Sequence, residues 1–535
     1  MGTNILKTSW LWILLCTGLV VTAIFSRPPL PIDETRYLSV AWEMWQSNQF
    51  LVPYINGQPY SHKPPLLFWL IQIGWWVFGV NEWSARLTAP LFGIASLFLT
   101  QRLAAILWPT SLDISRTSPV ILLGMGVWSI FCTLTMFDTL VVFFSLAAYL
   151  VVLTRLKDSN PSWPLLGLIL GFGLLAKGPV TLVYSIPPII LGPLWISHKT
   201  NWWRWYGGFL SALIIGGLLA LTWAIPASLA GGQDYGRAIL FGQTVGRMAQ
   251  SFAHQRPFYW YILLLPLILF PWSLWPPFWR GWKIEWDQSL RFCFCALIPA
   301  FAFLSLISGK QIHYILPLLP IIAIVLSRIA VSPSVQKPHD IWLYLIFFAI
   351  LAGLLFVLPS MPVLGRDAVI VKYIPPLAGM VPLVAGFMLL WFWMHRKDNR
   401  SPVTISVCFL VHLIFLQTTL SHAIHTLFNP SEVIRSLSIA QNRDREIAVY
   451  PRNMADQFQF AARLTKPLIV LNNYPTLQDW ANNNPTGYCL ISVDQQELSL
   501  FGKATEAMPY KDKWLLFREV EQLDLVEQPT STTEK

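Results

Sequence analysis

Residues 31–65 read PIDETRYLSVAWEMWQSNQFLVPYINGQPYSHKPP. This is the first long polar interruption after an apolar N-terminal segment. It holds Asp33, Glu34, Arg36, Tyr60, His62 and Lys63 within one loop's reach. Most neighbouring hydrophilic gaps are short turns. An acid with basic and aromatic partners, pinned between two apolar segments, reads as a site rather than a connector.

Outward from this stretch the chain is apolar. Of its 535 residues 55% are hydrophobic and only 12% are charged, against roughly 25% charged in soluble domains. The composition is that of a polytopic membrane protein. The net charge of +10 is no nucleic-acid footprint, because Lys and Arg collect in short turns between apolar runs instead of on one face. Five cysteines (Cys16, Cys132, Cys293, Cys295 and Cys408) lie in apolar segments and Cys489 stands in the polar tail, a spacing that suggests neither a zinc site nor a disulfide framework. The first apolar run, Thr8 to Phe25, lacks a small-x-small cleavage site before Arg27 and reads as an uncleaved first span.

A membrane-crossing helix takes roughly 17–25 residues. Runs of that kind fall near 8–25, 82–108, 117–137, 139–156, 163–177, 179–196, 205–229, 257–279, 290–308, 311–330, 341–359, 374–394 and 402–422, about thirteen helices. With the N-terminus inside, the inner turns (Arg116, Arg155–Lys157, His198–Arg204, Arg280–Lys283, Arg328–Lys337 and His395–Arg400) are basic, as the positive-inside rule requires. The opposite side then receives residues 31–65, the Asp138 turn, Lys177–Pro179, Gly231–Arg256, Gly309–Tyr314, Pro359–Lys372 and everything after residue 422. Counting residues 64–79 as a further span would reverse every later loop. They are expected, with Glu34–Gln46, as helices in the outer interface, where Trp42, Trp45, Trp69, Trp75 and Trp76 suit the membrane–water boundary. The expected architecture is therefore an all-α membrane domain over 1–425 and a small α/β domain over 430–525, with strands at 447–450, 467–471, 488–493 and 514–518. The polar end 526–535 reads as disordered.

Several residues carry possible chemistry. Asp33 serves either as the N-cap of the interfacial helix or as a general base; Glu34 shares that role or faces solvent. Arg36, one turn on, is a snorkelling arginine or a phosphate contact, which guanidinium suits. In Tyr60-Ser61-His62-Lys63-Pro64-Pro65 the two prolines stiffen the backbone. Lys63 becomes a plausible phosphate clamp, with Tyr60 able to share the phosphate, or else a positive anchor for the next helix. Asp138 opens a span in LTMFDTLVVFF, where an acid costs roughly 2.5–3.5 kcal/mol if placed mid-membrane, so it caps the helix or is paired. Lys177 in LLAKGPV snorkels or joins the site. Arg247 and His254 lie in the long outer loop.

DETRY, then NGQPYSHKPPLLFWL, then NEWSARL, resembles the opening of the polyprenyl-phosphate-dependent glycosyltransferases of the GT-C fold, and within them the bacterial lipid A aminoarabinose transferases and their protein O-mannosyltransferase relatives. The resemblance is densest over 30–110 and thins beyond 320. It implies transfer of a hexosyl or pentosyl group from an undecaprenyl- or other polyprenyl-phosphate donor to a lipid, glycan or protein acceptor. Transfer would usually invert the anomeric centre and would occur at the outer face of a bacterial inner membrane, facing the periplasm. It places Asp138 in the active site and Arg247 on the donor phosphate. SGKQIHYILPLLP matches the family's Lys-x-x-x-Tyr-x-x-Pro stretch, making Lys310 and Tyr314 donor-phosphate candidates. The position of His62 can carry a metal-binding acid in that family, so the resemblance leaves a divalent metal with His62 as one contact open. Two other classes compete. A flippase of lipid-linked sugars would typically show inverted repeats and charges deep in spans, whereas here charges stand at the ends. A non-catalytic membrane assembly protein would leave the shared side of the acids and bases unexplained.

Overall fold

The structure is a computed structural model. It describes residues 3–154, 156, 161–240, 255–335, 337, 340–361, 371, 373–395, 401–501, 507–511 and 513–523. The chain forms two compact units: one of residues 1–25, 61–360 and 375–419, the other of residues 26–60, 361–374 and 420–535.

The first unit is helical. In chain order it begins with α1 (Thr3–Ser26), and after the second unit's α2 (Asp33–Gln46) it continues with α3 (Leu66–Phe78), α4 (Glu82–Leu107), α5 (Leu112–Leu123), α6 (Gly126–Phe131), α7 (Asp138–Thr154) and α8 (Trp163–Lys177). Seven helices among the described residues are long and apolar enough to cross a membrane, and shorter apolar helices include α3, α7 and α8. Three expected spans are broken: the run at 117–137 divides between α5 and α6, and two others fragment further. The run at 179–196 splits into Val180–Ser185, Pro187–Ile190 and Gly192–Trp195, and the run at 257–279 into Trp260–Ile268, a 3-10 turn at Trp272–Leu274 and Pro276–Arg280. Prolines 187, 188, 193, 271, 276 and 277 explain the breaks at 179–196 and 257–279, since each removes a backbone donor and crowds the preceding turn.

Two features show how the bundle closes. NEWSARL starts α4: the Asn81 side chain accepts from the Ser84 amide at 2.8 Å, as an N-cap should. Arg86, 1% exposed, donates to Glu82 at 2.8 Å and to the Ile24 and Ala23 carbonyls at 2.9 and 3.0 Å, satisfying carbonyls at the end of α1 that the helix leaves unpaired. The second is a glycine seam. A Cβ on Gly171 would meet Leu219 at 2.7 Å and one on Gly216 would meet the Gly167 carbonyl at 2.9 Å. Small residues four apart thus bring α8 and the helix Trp202–Ala230 backbone to backbone, the usual device where lipid removes the hydrophobic drive.

The second unit holds α2, the hairpin β1 (Tyr54–Ile55) and β2 (Gln58–Pro59), and a five-stranded mixed sheet. The sheet comprises β3 (Ile447–Tyr450), β4 (Ile469–Val470), β5 (Tyr488–Val493), β6 (Met508–Tyr510) and β7 (Lys513–Glu519), in the order β4-β3-β5-β7-β6. β3 runs parallel to β4 and β5, with Val449 opposite Leu490, and β7 runs antiparallel to β5 and β6. Alternation along β5 sends Leu490 to one core with Leu437 and Phe458, and Ile491 to the other with Leu477 and Leu516. Helices Ser431–Asn442 and Tyr474–Asn483 cover the sheet's apolar positions. Residues 26–60 group with 420–535 and not with the helical unit. Trp42 Nε1 donates to the Leu464 carbonyl at 2.8 Å, Asn56 Nδ2 donates to the Leu468 carbonyl at 2.9 Å, and the Leu468 amide returns a bond to Asn56 Oδ1 at 2.7 Å.

Candidate active site

In the first unit, the start of α7, the end of α8, the chain before α3 and the 3-10 segment Ile312–Leu318 supply one cluster. Asp138 is the first helical residue of α7 and 3% exposed. Its neighbour Thr139 donates to the Ala89 carbonyl of α4 at 3.0 Å, which fixes that helix end. Lys177, the last residue of α8, places Nζ 2.5 Å from Asp138 Oδ1, with both side chains under one-tenth exposed. The same ammonium lies 5.1 Å from the centroid of the Tyr314 ring, a cation–π contact that gains strength when desolvated. Tyr314 is held from behind, its carbonyl accepting from the Tyr184 hydroxyl at 2.8 Å. Lys63 stands over the Phe137 ring at 5.8 Å, and Phe68 of α3 meets that ring edge-on at 5.5 Å. Lys63 and His313 both interact electrostatically with Asp138. His313 packs against Phe131 at 5.8 Å and Tyr314 at 4.8 Å.

Two lysines against one aspartate leave one net positive charge in the cluster, before any proton on His313. Two cations so placed, Lys177 under one-tenth exposed and Lys63 half-buried, suit an anion of growing charge.

The remaining candidates divide. Asp33, Glu34, Arg36 and Tyr60 belong to the second unit. Asp33 does not cap its helix: the N-cap is Ile32, without a side-chain bond, and Asp33 is the first helical residue. There the helix dipole favours its charge, and Tyr37 one turn on donates to Oδ1 at 3.2 Å. Glu34 does not face solvent. It is 2% exposed and paired with Arg27 at 2.5 Å, and it accepts from the Leu30 amide at 2.9 Å. Arg36 faces Asp456 at 3.6 Å; burial raises the Asp456 carboxyl above its ordinary value, with Arg36 and Arg452 acting against it. Tyr60 is buried. His62 is exposed, and no group of three or more His, Cys, Asp or Glu placed to hold a metal occurs among the described residues. Lys310 is 2% exposed and donates to the Arg256 carbonyl at 3.0 Å and to the Ile307 carbonyl; burial lowers its ammonium below the ordinary value. It braces the loop ahead of Tyr314 in this arrangement. Arg247 and His254 lie outside the described residues.

Sequence reading named Asp138, Lys177, Lys63 and Tyr314 separately and did not foresee their pairing. It assigned no role to His313 or to the aromatic floor of Phe137 and Tyr184. The adjacency of Phe137 to Asp138 and of His313 to Tyr314 was the available signal.

Lys63, Phe137, Asp138, Lys177 and Tyr184 of this cluster fall within the region matched by a family model, whereas His313 and Tyr314 lie beyond it. The model of dolichyl-phosphate-mannose-protein mannosyltransferase matches residues 62–227. An undecaprenyl phosphate-alpha-4-amino-4-deoxy-L-arabinose arabinosyl transferase of Pectobacterium carotovorum is 27% identical over 426 residues, covering 76% of this chain and 74% of its own. One from Pseudomonas savastanoi is 30% identical over 304 residues, covering 55% of this chain and 56% of its own. Among solved structures, ArnT from Cupriavidus metallidurans bound to undecaprenyl phosphate superposes with a TM-score of 0.74 at 16% identity, covering 95% of this chain and 97% of its own. The apo form gives 0.73 at 17% identity, covering 96% and 98%. This chain shares their fold.

Proposed function

We propose that this chain, an integral-membrane glycosyltransferase of the GT-C fold resembling the aminoarabinose transferases, works at the periplasmic face of a bacterial inner membrane. There it moves a sugar from an undecaprenyl-type carrier phosphate, with inversion, to a lipid acceptor such as lipid A. The observation that carries the reading is the buried Asp138–Lys177 pair beside Lys63, set within the span matched by a family of lipid-phosphate sugar transferases.

The chemistry follows from charge. As the bond between the anomeric carbon and the phosphate oxygen breaks, negative charge accumulates on the departing lipid phosphate. Lys63 and Lys177 receive it, fixed in advance by the two prolines after Lys63 and by Asp138 beneath Lys177. Preorganised donors of this kind are worth most in a water-poor site. A carboxylate surrounded by Lys177, Lys63 and His313 is a weak base, so Asp138 orients the cations. Asp33, half-buried at a helix start with Tyr37 donating to Oδ1, takes the proton from the acceptor hydroxyl as that oxygen attacks the opposite face of the sugar. Arg36, which faces Asp456 at 3.6 Å, is a further candidate for the donor phosphate, which guanidinium suits. The basic turns between the apolar runs support a topology in which these loops share one side, and the resemblance to transferases in fold and sequence argues against a flippase.

The test is turnover of a polyprenyl-phosphate sugar by the purified protein, read by mass spectrometry. Asp33→Asn should bind donor and not turn it over; Lys63→Met should raise the KM for donor. Normal turnover by Asp33→Asn removes Asp33 from the mechanism. Deletion-strain lipid analysis names the sugar and the acceptor.

A further inference from the structure

The second unit contains a cavity of about 210 Å³ that the transfer chemistry does not use, lined by the end of α2, the β1–β2 hairpin and residues 459–467. Its wall is built. The turn Asn56-Gly57 has φ of 51° and 73°, the left-handed pair that a two-residue hairpin needs and that Asn-Gly supplies. Glu43 of α2 holds that turn: its two carboxylate oxygens accept from the Asn56 and Gly57 amides at 2.5 and 3.0 Å. Each oxygen keeps a further acceptor position.

Gln459 carries the argument. It lines the cavity and is 1% exposed. Its amide orientation is fixed, because Nε2 donates to Asn56 Oδ1 at 3.2 Å and to the Ala455 carbonyl. Its Oε1 is left buried with no donor. A buried acceptor left without a donor is destabilising, so a donor is expected there. The other lining groups describe that donor's owner. Gln46 and Thr465 offer amide and hydroxyl groups, while the Tyr54 ring and Pro467 offer flat apolar surface. Lys466 has its charge matched by Asp444. Apolar faces together with many neutral hydrogen-bonding groups, and no surplus charge beyond Glu43, fit a sugar ring, which has C–H faces and hydroxyl edges.

We infer that this cavity is a second, non-catalytic sugar site that grips one pyranose unit of a glycan through hydroxyl donation to Gln459 and Glu43. The inference rests on the transferase reading only in taking the acceptor's glycan as the source of that unit; the binding itself does not depend on it. The experiment is saturation-transfer NMR of the full-length protein with a panel of neutral methyl pyranosides, in a detergent lacking sugar head groups. At least one pyranoside should show transfer, weakened about two- to tenfold, the worth of one hydrogen bond, in Gln459→Leu. Gln46→Ala, at an exposed position, gives a second variant that does not threaten folding and should also weaken the signal. Turnover of a short-chain donor with a small acceptor should be unchanged in both. No transfer from any pyranoside, meaning that water alone fills the cavity, overturns the inference, as does transfer equal to wild type in both variants. Loss of turnover with binding intact counts against this site and leaves the transferase reading in place.

Discussion

Asp138→Asn tests whether the central pair is a structural unit, a functional one or both. The substitution keeps shape and removes one charge. Lys177 then stays under one-tenth exposed, without its counter-ion, beside Lys63 and His313. Removing one partner of a buried pair costs about 3–5 kcal/mol, whereas replacing both with neutral groups is often close to neutral. Asp138→Asn should therefore fall in that range. Lys177→Met should cost less, because Asp138 keeps Lys63 and His313, and the double variant should recover most of the loss. Thermal unfolding of detergent-solubilised protein, followed by tryptophan emission, gives the cycle. Turnover of a polyprenyl-phosphate sugar measured in parallel separates the roles: the double variant should be nearly as stable as wild type and still inactive. Stability losses that add within about 0.5 kcal/mol, the behaviour of independent sites, would refute the pair as a unit. Turnover in the double variant would refute its role in transfer.

Three further outcomes follow from the fold. Arg86→Met deletes the donors to Ala23, Ile24 and Glu82; charged bonds of this kind are worth about 1.5–3 kcal/mol each, so a loss of about 3 kcal/mol or more in unfolding free energy is expected, and a loss under 1 kcal/mol would show that α1 is held otherwise. Gly171→Val drives a methyl-bearing Cβ onto Leu219 and should destabilise by about 1–3 kcal/mol, a cost that Leu219→Ala in the same chain should reduce. Burial raises the Glu43 carboxyl above its ordinary 4.5, the Asn56 and Gly57 amides opposing and Asp456 adding to the shift. The folded state then holds a proton that the unfolded chain releases, so stability falls as pH rises from 4.5 through the raised value. Amide protection factors in α2, corrected for the intrinsic rise of exchange with pH, should be highest below that window and lower above it, with Glu43→Gln flattening the trend; protection that rises with pH would contradict the sign.

Much of this was legible in one dimension. Apolar runs marked the helices because lipid imposes length and composition together. Broken runs at 179–196 and 257–279 carried their prolines in plain view. What the sequence concealed was pairing over distance. Asp138 and Lys177 are 39 residues apart, and nothing local says that one answers the other. For Glu34 the sequence offered a share of the base role or a solvent-facing place, and neither anticipates its ion pair with Arg27 seven residues earlier. Of the two readings of Asp33, cap or general base, the cap fails because Ile32 occupies that place. Asn56-Gly57 was a readable hairpin signal that passed unread. β6 contains Pro509 at the sheet edge, where a missing donor is tolerated and strand propensity is weakest.

The bonds from Trp42 and Asn56 to Leu464 and Leu468 join residues 422 and 412 positions apart. Ribosomes add about 5–20 residues per second, so α2 is synthesised roughly 20–80 s before its partners exist. The whole helical series must thread through the insertion machinery in that interval, while Asp33 and Arg36 wait on an unfinished surface. Premature stop codons anywhere before residue 468 should therefore yield chains that insert yet never assemble this junction, leaving residues 26–60 as the first target of quality-control proteases.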